Sequence, residues 1–356
     1  MGSSISTPWR KLSGENNWEG LLQPLDHDLR KYLIHYGQMT GAVGDLLNTT
    51  TDEPDASKED FFSKACLVKG NPYKYDVTRF IYGGSDDVEP SWFAYVAVAT
   101  DEGKRALGRR DVLVAWRGTS STSEWLNDFN FIIQRNASDI FPTAKQHDAT
   151  VHRGFHDLYT EQDRILLVPK LVPETSLGAA IATLTAMDIV ANGYNKPTAG
   201  CHPDKSFMVT AITFGSHRVG NTGLANLFDS LRDYLHLLRV ENNSDECEPN
   251  SKRSRRDIGS SVEDELSLKF KPVNLGVLTG LYSCHNMDVY AHGVAIKDIG
   301  EKTPAEKLDH DLALVNKYLD RASNEYSIPS NWWAGDNRKR LAQLENGRWK
   351  VHAWLG

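Results

Sequence analysis

Ser176 stands at the head of Leu177–Tyr194, a run of small and apolar residues that reads as a helix buried against a sheet. A hydroxyl in that position has two readings. It is a nucleophile if a neighbouring base takes its proton and the helix N-terminus stabilises the charge that develops, or it caps the helix and does nothing more. His285 and His292 are the candidate bases, seven residues apart and therefore on one face if their segment is helical; a histidine beside Cys284 is otherwise a structural residue. No cluster of His, Asp and Glu has metal-ligand spacing, so no metal is expected. No Gly-x-Gly-x-x-Gly follows a strand-like segment, so no dinucleotide and no other cofactor is expected. The four cysteines, Cys66, Cys201, Cys247 and Cys284, form neither the close pairs of a zinc site or redox dithiol nor a disulfide scaffold. A reducing compartment is the simpler reading.

The elements around these residues alternate between strand and helix. Pro24–Leu47 places Leu25, Leu29, Leu33, Tyr36, Met39 and Val43 at helical spacing. Ser91–Thr100 and the run from Asp111 are rich in aromatic and β-branched residues and predict two neighbouring strands, separated by a Gly-bearing turn, TDEGKRALGRR. Phe207–Gly215 and Tyr234–Asn242 predict strands flanking a helical LANLFDSLRD, an order that argues for a mostly parallel sheet covered by helices. His310–Ser323 predicts a closing helix, and Trp332, Trp333, Trp349 and Trp354 a tail that packs. One domain follows, with a helical arm at 1–50, an α/β body at 51–325 and a packed tail at 326–356.

Five segments fall in order along the chain: VAWRGTSSTSEWLNDF (Val114–Phe129), VHRGF (Val151–Phe155), TSLGAA (Thr175–Ala180), FGSHRVGN (Phe214–Asn221) and CHNMDVYAHG (Cys284–Gly293). With the PLDHDLR opening and DIVANGYNKP, they make the chain resemble the class 3 (fungal-type) lipases, and within them the plant phospholipase A1 acylhydrolases, over most of its length. The resemblance implies an α/β-hydrolase fold, with a mostly parallel central sheet and flanking helices. It implies a serine acylhydrolase that cleaves the sn-1 acyl ester of glycerophospholipids at a membrane surface. By the same resemblance Ser176 is the nucleophile on a strand-to-helix turn. Asp245, in the run Arg239-x-x-Asn242-x-x-Asp245, is the orienting carboxylate, and His285 rather than His292 is the base. The backbone N–H groups of Thr119 and Leu177 are the oxyanion donors. Trp125 and Asp128 brace the Thr119 loop, and Arg218, Val219 and Gly220 form a framework turn.

Two features depart from the family pattern. The turn Glu174-Thr175-Ser176-Leu177-Gly178 carries Glu174 where the family has the first Gly of G-H-S-L-G, which puts bulk and negative charge beside the nucleophile. Only 21 positions separate Phe155 from Ser176, where family members carry a long helix and a central strand. A parallel crossover takes about a dozen residues and a strand about five or six, and the one apolar run there, Ile165–Val168, is cut by Pro169. The alternative expectation is therefore a degenerate, catalytically impaired relative with a lipid-binding or interaction role.

Forty Lys and Arg against 47 Asp and Glu give a net charge of −7, the wrong sign for a nucleic-acid partner. The polar stretch after Asp245, with Lys252, Arg253, Arg255 and Arg256, reads as a solvated loop. No stretch is long and apolar enough for a transmembrane segment, and the first residues lack the apolar core of a secretory signal, so a cytoplasmic protein is expected. Gly2 and Ser6 match an N-myristoylation pattern, which would make it peripheral to membranes.

Overall fold

The Asp26 carboxylate accepts hydrogen bonds from the N–H groups of Asp28 (2.9 Å) and Leu29 (3.0 Å) and so starts helix α1, His27–Asp45. Leu29, Leu33, Tyr36, Met39 and Val43 recur along one of its faces, and all are buried, as the spacing predicts. The computed structural model to which α1 belongs describes residues 9–85, 88–118, 134–160, 176–197, 206–216, 218–242, 265–268, 286–298, 316–317 and 331–351. Gly2, Ile165–Val168, the basic cluster Lys252–Arg256, Trp354 and the expected helix His310–Ser323, apart from Asn316 and Lys317, lie outside these residues.

Two long strands follow, β1 (Tyr75–Ser85) and β2 (Val88–Ala99), paired antiparallel with Tyr75 opposite Ala99. The segment expected to be a turn after β2 is instead a helix, α2 (Asp101–Leu107). Thr100 caps it by accepting from Gly103 N–H at 3.0 Å, and Asp101 and Glu102 at the start with Lys104 and Arg105 at the end complement its dipole. Gly108, at φ 74°, ends it. Strand β3 (Val112–Trp116) then pairs antiparallel with β2, Ala94 opposite Trp116.

A short antiparallel pair, β4 (Gln134–Asn136) and β5 (Thr150–His152), leads into helix α3 (Arg153–Thr160). Helix α4 (Ser176–Ala191), strand β6 (Val209–Phe214), helix α5 (Thr222–Ser230), strand β7 (Leu235–Asn242) and strand β8 (Glu265–Leu268) follow. The expected parallel sheet is present as β6–β7–β8, with Phe214 opposite Val240 and Arg239 opposite Glu265. Helix α6 (Met287–Ile296) packs on α1, and a final antiparallel pair, β9 (Leu341–Gln343) and β10 (Trp349–Val351), carries the tryptophan tail. There Trp332 is fully buried against Trp333 and Trp349.

All eight residues of β7 are buried, because both of its faces are covered. Leu235 and Leu237 join a core with Phe155 of α3, Ile181, Leu184 and Met187 of α4, and Leu224 and Leu227 of α5. Leu238 and Val240 face a second core with Leu29 and Met39 of α1, Tyr290 and Val294 of α6, and Trp92, Tyr95 and Ala97 of β2. Within the first core α4 packs against both β3 and β6, an edge strand of each of the antiparallel and parallel groups. Its first turn sits directly on backbone: a Cβ added to Gly178 would lie 2.6 Å from the Arg117 carbonyl oxygen and 3.3 Å from that of Trp116.

A polar knot ties α1 to β1 and to the start of β3. The Asp111 carboxylate accepts from the hydroxyls of Tyr36 and Tyr75, each at 2.6 Å, and from Arg109 Nε at 3.1 Å. Beside it His35 is buried among the rings of Tyr36 and Tyr73, and its Nε2 has no hydrogen-bond partner among the described residues. Burial holds its pKa down at about 4; Asp111 pulls it up and Arg109 pushes it further down.

Two predictions follow from these contacts. Between pH 6.5 and 4 the unfolded chain binds a proton at His35 that the folded chain refuses, so this contribution is intact above pH 6.5 and lost as pH falls. The full loss is on the order of 3 kcal/mol. His35→Phe should reduce the destabilisation between pH 7 and pH 4.5, measured by denaturant unfolding, by about 2 kcal/mol; equal losses in both proteins would overturn the assignment. The second concerns two helical glycines. Gly178→Ala should lower the melting temperature despite alanine's better helix propensity, because its methyl meets backbone that cannot move aside. Gly41→Ala in α1, whose Cβ would lie an ordinary 3.9 Å from Met287 Cβ, should raise stability by about 0.4–1 kcal/mol. The same sign for both in thermal unfolding would refute the close contact.

Candidate active site

Three chain segments meet near the end of β3. Arg117 continues the ladder one residue beyond Trp116, its N–H donating to Phe93 O at 3.0 Å. The contact of Gly178 with the Arg117 carbonyl brings the start of α4, Ser176 and Leu177, to this strand end. The first two residues of the sixteen-residue α4 thus bring backbone N–H groups that have no partner within the helix, and the positive end of its dipole, to this place. The third segment is the approach to α6. Asn286 caps that helix by accepting from Asp288 N–H at 2.7 Å, and Gly118 and Asn286 line one cleft together with Gly37 and Gly41 of α1 and Met287 of α6. A buried ion pair closes the cleft, Lys317 Nζ to Asp45 Oδ2 at 2.6 Å, while Lys317 N–H donates to Asp288 Oδ2 at 3.0 Å.

Of the residues expected to carry chemistry, Ser176 and Leu177 are the first two of α4. Thr119, Asp245 and His285 lie outside the described residues, as do Glu174, Trp125 and Asp128. Thr119 follows the described Gly118, His285 precedes the described Asn286, and Asp245 comes three residues after Asn242, the end of β7. Helix α6 begins at Met287 after its cap Asn286, so of the two histidines only His292 is among its residues. His292 lies in the helix interior, 1% exposed. Gly220 pairs with Val151, and the Val219 carbonyl accepts from His152 N–H at 2.9 Å, the framework role expected of that turn.

Two charged groups near these strand ends were not singled out by the sequence. Glu241 Oε1 accepts from Arg239 Nε (3.2 Å) and Nη2 (3.0 Å) and from Ser216 N–H (3.2 Å), and Arg239 Nη2 also donates to Ser216 O at 3.0 Å. This buried pair fastens the loop after β6 to the end of β7, the strand that leads towards Asp245. Arg117 is the other, 5% exposed, its guanidinium bonded to Trp92 O, Ser91 Oγ and Gly118 O. Its place inside Trp-Arg-Gly-Thr was visible in the sequence; its partners on β2 were not. Among the described residues no group of three His, Cys, Asp or Glu side chains could hold a metal ion, and no helix is long and apolar enough to cross a membrane.

A family model described as Lipase (class 3) matches residues 175–247, a span that holds Ser176, Leu177 and Asp245. Phospholipase A1-IIgamma of Arabidopsis thaliana is 37% identical over 396 aligned residues, covering 96% of this chain and 92% of that protein. Phospholipase A1-II 1 of Oryza sativa subsp. indica is 35% identical over 395 residues, covering 98% and 96%. A chain of 356 residues cannot fill 396 positions, so at least 40 residues of the first relative face gaps here. Among solved structures, lipase II from Rhizopus niveus matches with a TM-score of 0.38 and 17% identity over 59% of this chain and 72% of that one. Sharing more than a third of its residues along nearly the full length of such relatives, the chain belongs to the class 3 lipase family, carboxylic ester hydrolases of the α/β-hydrolase fold, and within it to the plant phospholipase A1-II group.

Proposed function

We propose that this chain hydrolyses the sn-1 acyl ester of glycerophospholipids at a membrane surface, with Ser176 as nucleophile, His285 as base and Asp245 as the carboxylate that orients it. The observation that carries this reading is the seat of α4 on β3. A helix start bearing Ser176 and Leu177 rests on the carbonyl of Arg117, two residues before Thr119, so both expected oxyanion donors belong to segments that meet at one strand end. In the proposed reaction the Ser176 oxygen attacks the ester carbonyl as its proton passes to the His285 imidazole, which Asp245 holds in the productive tautomer. The carbonyl oxygen, now negative, accepts from the N–H groups of Thr119 and Leu177, and the α4 dipole adds to that stabilisation. The imidazolium then returns the proton to the departing glycerol oxygen, leaving an acyl-serine. Water, activated by the same imidazole, releases the fatty acid and restores Ser176.

The product identifies the activity. Phosphatidylcholine with different acyl chains at its two positions should yield the sn-1 fatty acid and a lysophospholipid that keeps the sn-2 chain, read by mass spectrometry, and Ser176→Ala should yield neither. Release of the sn-2 chain would overturn the regiochemistry. A fluorophosphonate probe that still labels Ser176→Ala at the parent rate would overturn the nucleophile. In this reading Glu174 opposes the oxyanion and slows turnover, so Glu174→Gly should raise phosphatidylcholine hydrolysis by on the order of a hundredfold, the worth of one oxyanion interaction. A gain below about tenfold would remove Glu174 as the limiting residue.

A further inference from the structure

We propose that Arg117 is the positioning residue for the oxyanion donor at Thr119, an inference that rests on the acylhydrolase reading above. An arginine presents its donors in a planar fork, and this one is held on three sides. Nε donates to Trp92 O at 2.6 Å and Nη2 to Ser91 Oγ at 2.7 Å, both on β2, and Nη1 reaches forward to Gly118 O at 3.1 Å. The Phe93 ring lies 5.4 Å from the guanidinium carbon, and the main chain of Arg117 is fixed by its own bond to Phe93 O. Two arms thus anchor the fork to the sheet while the third grips the carbonyl of the next residue.

That carbonyl belongs to the same peptide unit as the N–H of Thr119. In a trans peptide the two groups point in opposite directions, so a clamp on the first aims the second. Gly118 makes the clamp necessary: without a Cβ it gives the peptide unit on its carboxyl side more than one accessible orientation. A hydrogen bond from a buried cation to Gly118 O selects one of them. The carbonyl of Arg117 itself carries the opposing partner, since it is the atom on which Gly178 and the start of α4 rest. One residue therefore sets the relation between the segments that bear both donors. A lysine would keep the charge but not the fork, and would leave at least one of the three acceptors unbound.

The test uses the full chain and two variants, Arg117→Lys and the milder Ser91→Ala, which removes one arm of the fork. The readouts are kcat and KM for p-nitrophenyl butyrate, and inhibition by an alkyl trifluoromethyl ketone, whose serine adduct carries an anionic oxygen like that of the tetrahedral intermediate. Arg117→Lys should lower kcat by about a hundredfold to a thousandfold, the cost of a displaced oxyanion donor, with KM within about threefold. Ketone inhibition should weaken by the same factor as kcat. Ser91→Ala should show the same coupling at roughly threefold to tenfold, and decides alone if Arg117→Lys does not fold. A brace with no bearing on the oxyanion would lower the melting temperature and the fraction of protein labelled by fluorophosphonate, while kcat per labelled site and ketone affinity stayed at parent values. That pattern would overturn the proposal and leave the acylhydrolase reading standing. A parent chain that neither turns over the ester nor binds the ketone would overturn both.

Discussion

A helix that starts against the backbone of a strand end needs a residue with no side chain at the point of contact, and here that residue is Gly178 over the carbonyls of Trp116 and Arg117. The contact fixes the height of α4 above β3 and, through Ala180, Ile181, Leu184 and Met187, its seat in the core shared with α3, α5 and β7. Because α4 also lies against β6, it joins the antiparallel strands β1–β3 to the parallel strands β6–β8 on one side, as the core around α1 does on the other. Moving it outward by the radius of a methyl group would open voids on two sheet edges at once, and close-packed interiors do not absorb such gaps without loss.

Three charged groups in the described core are held by several hydrogen bonds each. Among the described residues Arg117 donates to Trp92 O, Ser91 Oγ and Gly118 O, Glu241 accepts from Arg239 and Ser216, and Asp111 collects two phenols and a guanidinium. Well-packed apolar residues of like volume would be about as stabilising at such places, since desolvation offsets most of the Coulomb gain. What the polar groups add is direction. Arg117 bonds the Gly118 carbonyl and Glu241 the Ser216 amide, each beyond the end of a strand, where the regular ladder has stopped fixing the backbone and hydrophobic contacts, which have no orientation, cannot take over.

The sequence made the covered elements legible and the irregular ones not. The stripe from Leu29 to Val43 is the buried face of α1, and the apolar run of β7 is a strand covered on both sides. Strand β1 escaped notice because register shifts between Val77 and Arg79, Ile81 and Tyr82, and Gly83 and Ser85 break the alternation by which a strand is recognised. Helix α2 read as a turn because it is only seven residues long and contains Gly103. Local patterns carried the site further: the small apolar run after Ser176 is helix α4, and the bare Gly178 has a measurable reason. The bonds of Arg117 were invisible because its partners, Ser91 and Trp92, lie some twenty-five positions earlier and meet it only through the pairing of β2 with β3.

The short interval before Ser176 weighs less against function than its length suggests. Relatives carry at least 40 residues that have no counterpart in this chain, yet α3 occupies Arg153–Thr160, and α4, β6, α5 and β7 follow it in order. The elements whose contacts define the strand-end site are therefore retained. What holds the first turn of α4 is a contact made two residues after Ser176, on the carbonyl of Arg117, and then the core beneath it, to which Phe155 and Leu158 of α3 also belong. A helix seated from its own first turn onward keeps its dipole and its free N–H groups at the same strand end however the chain arrives there. The seat that brings Leu177 to the Arg117 end of β3 rests on Gly178 and on the core residues of α4.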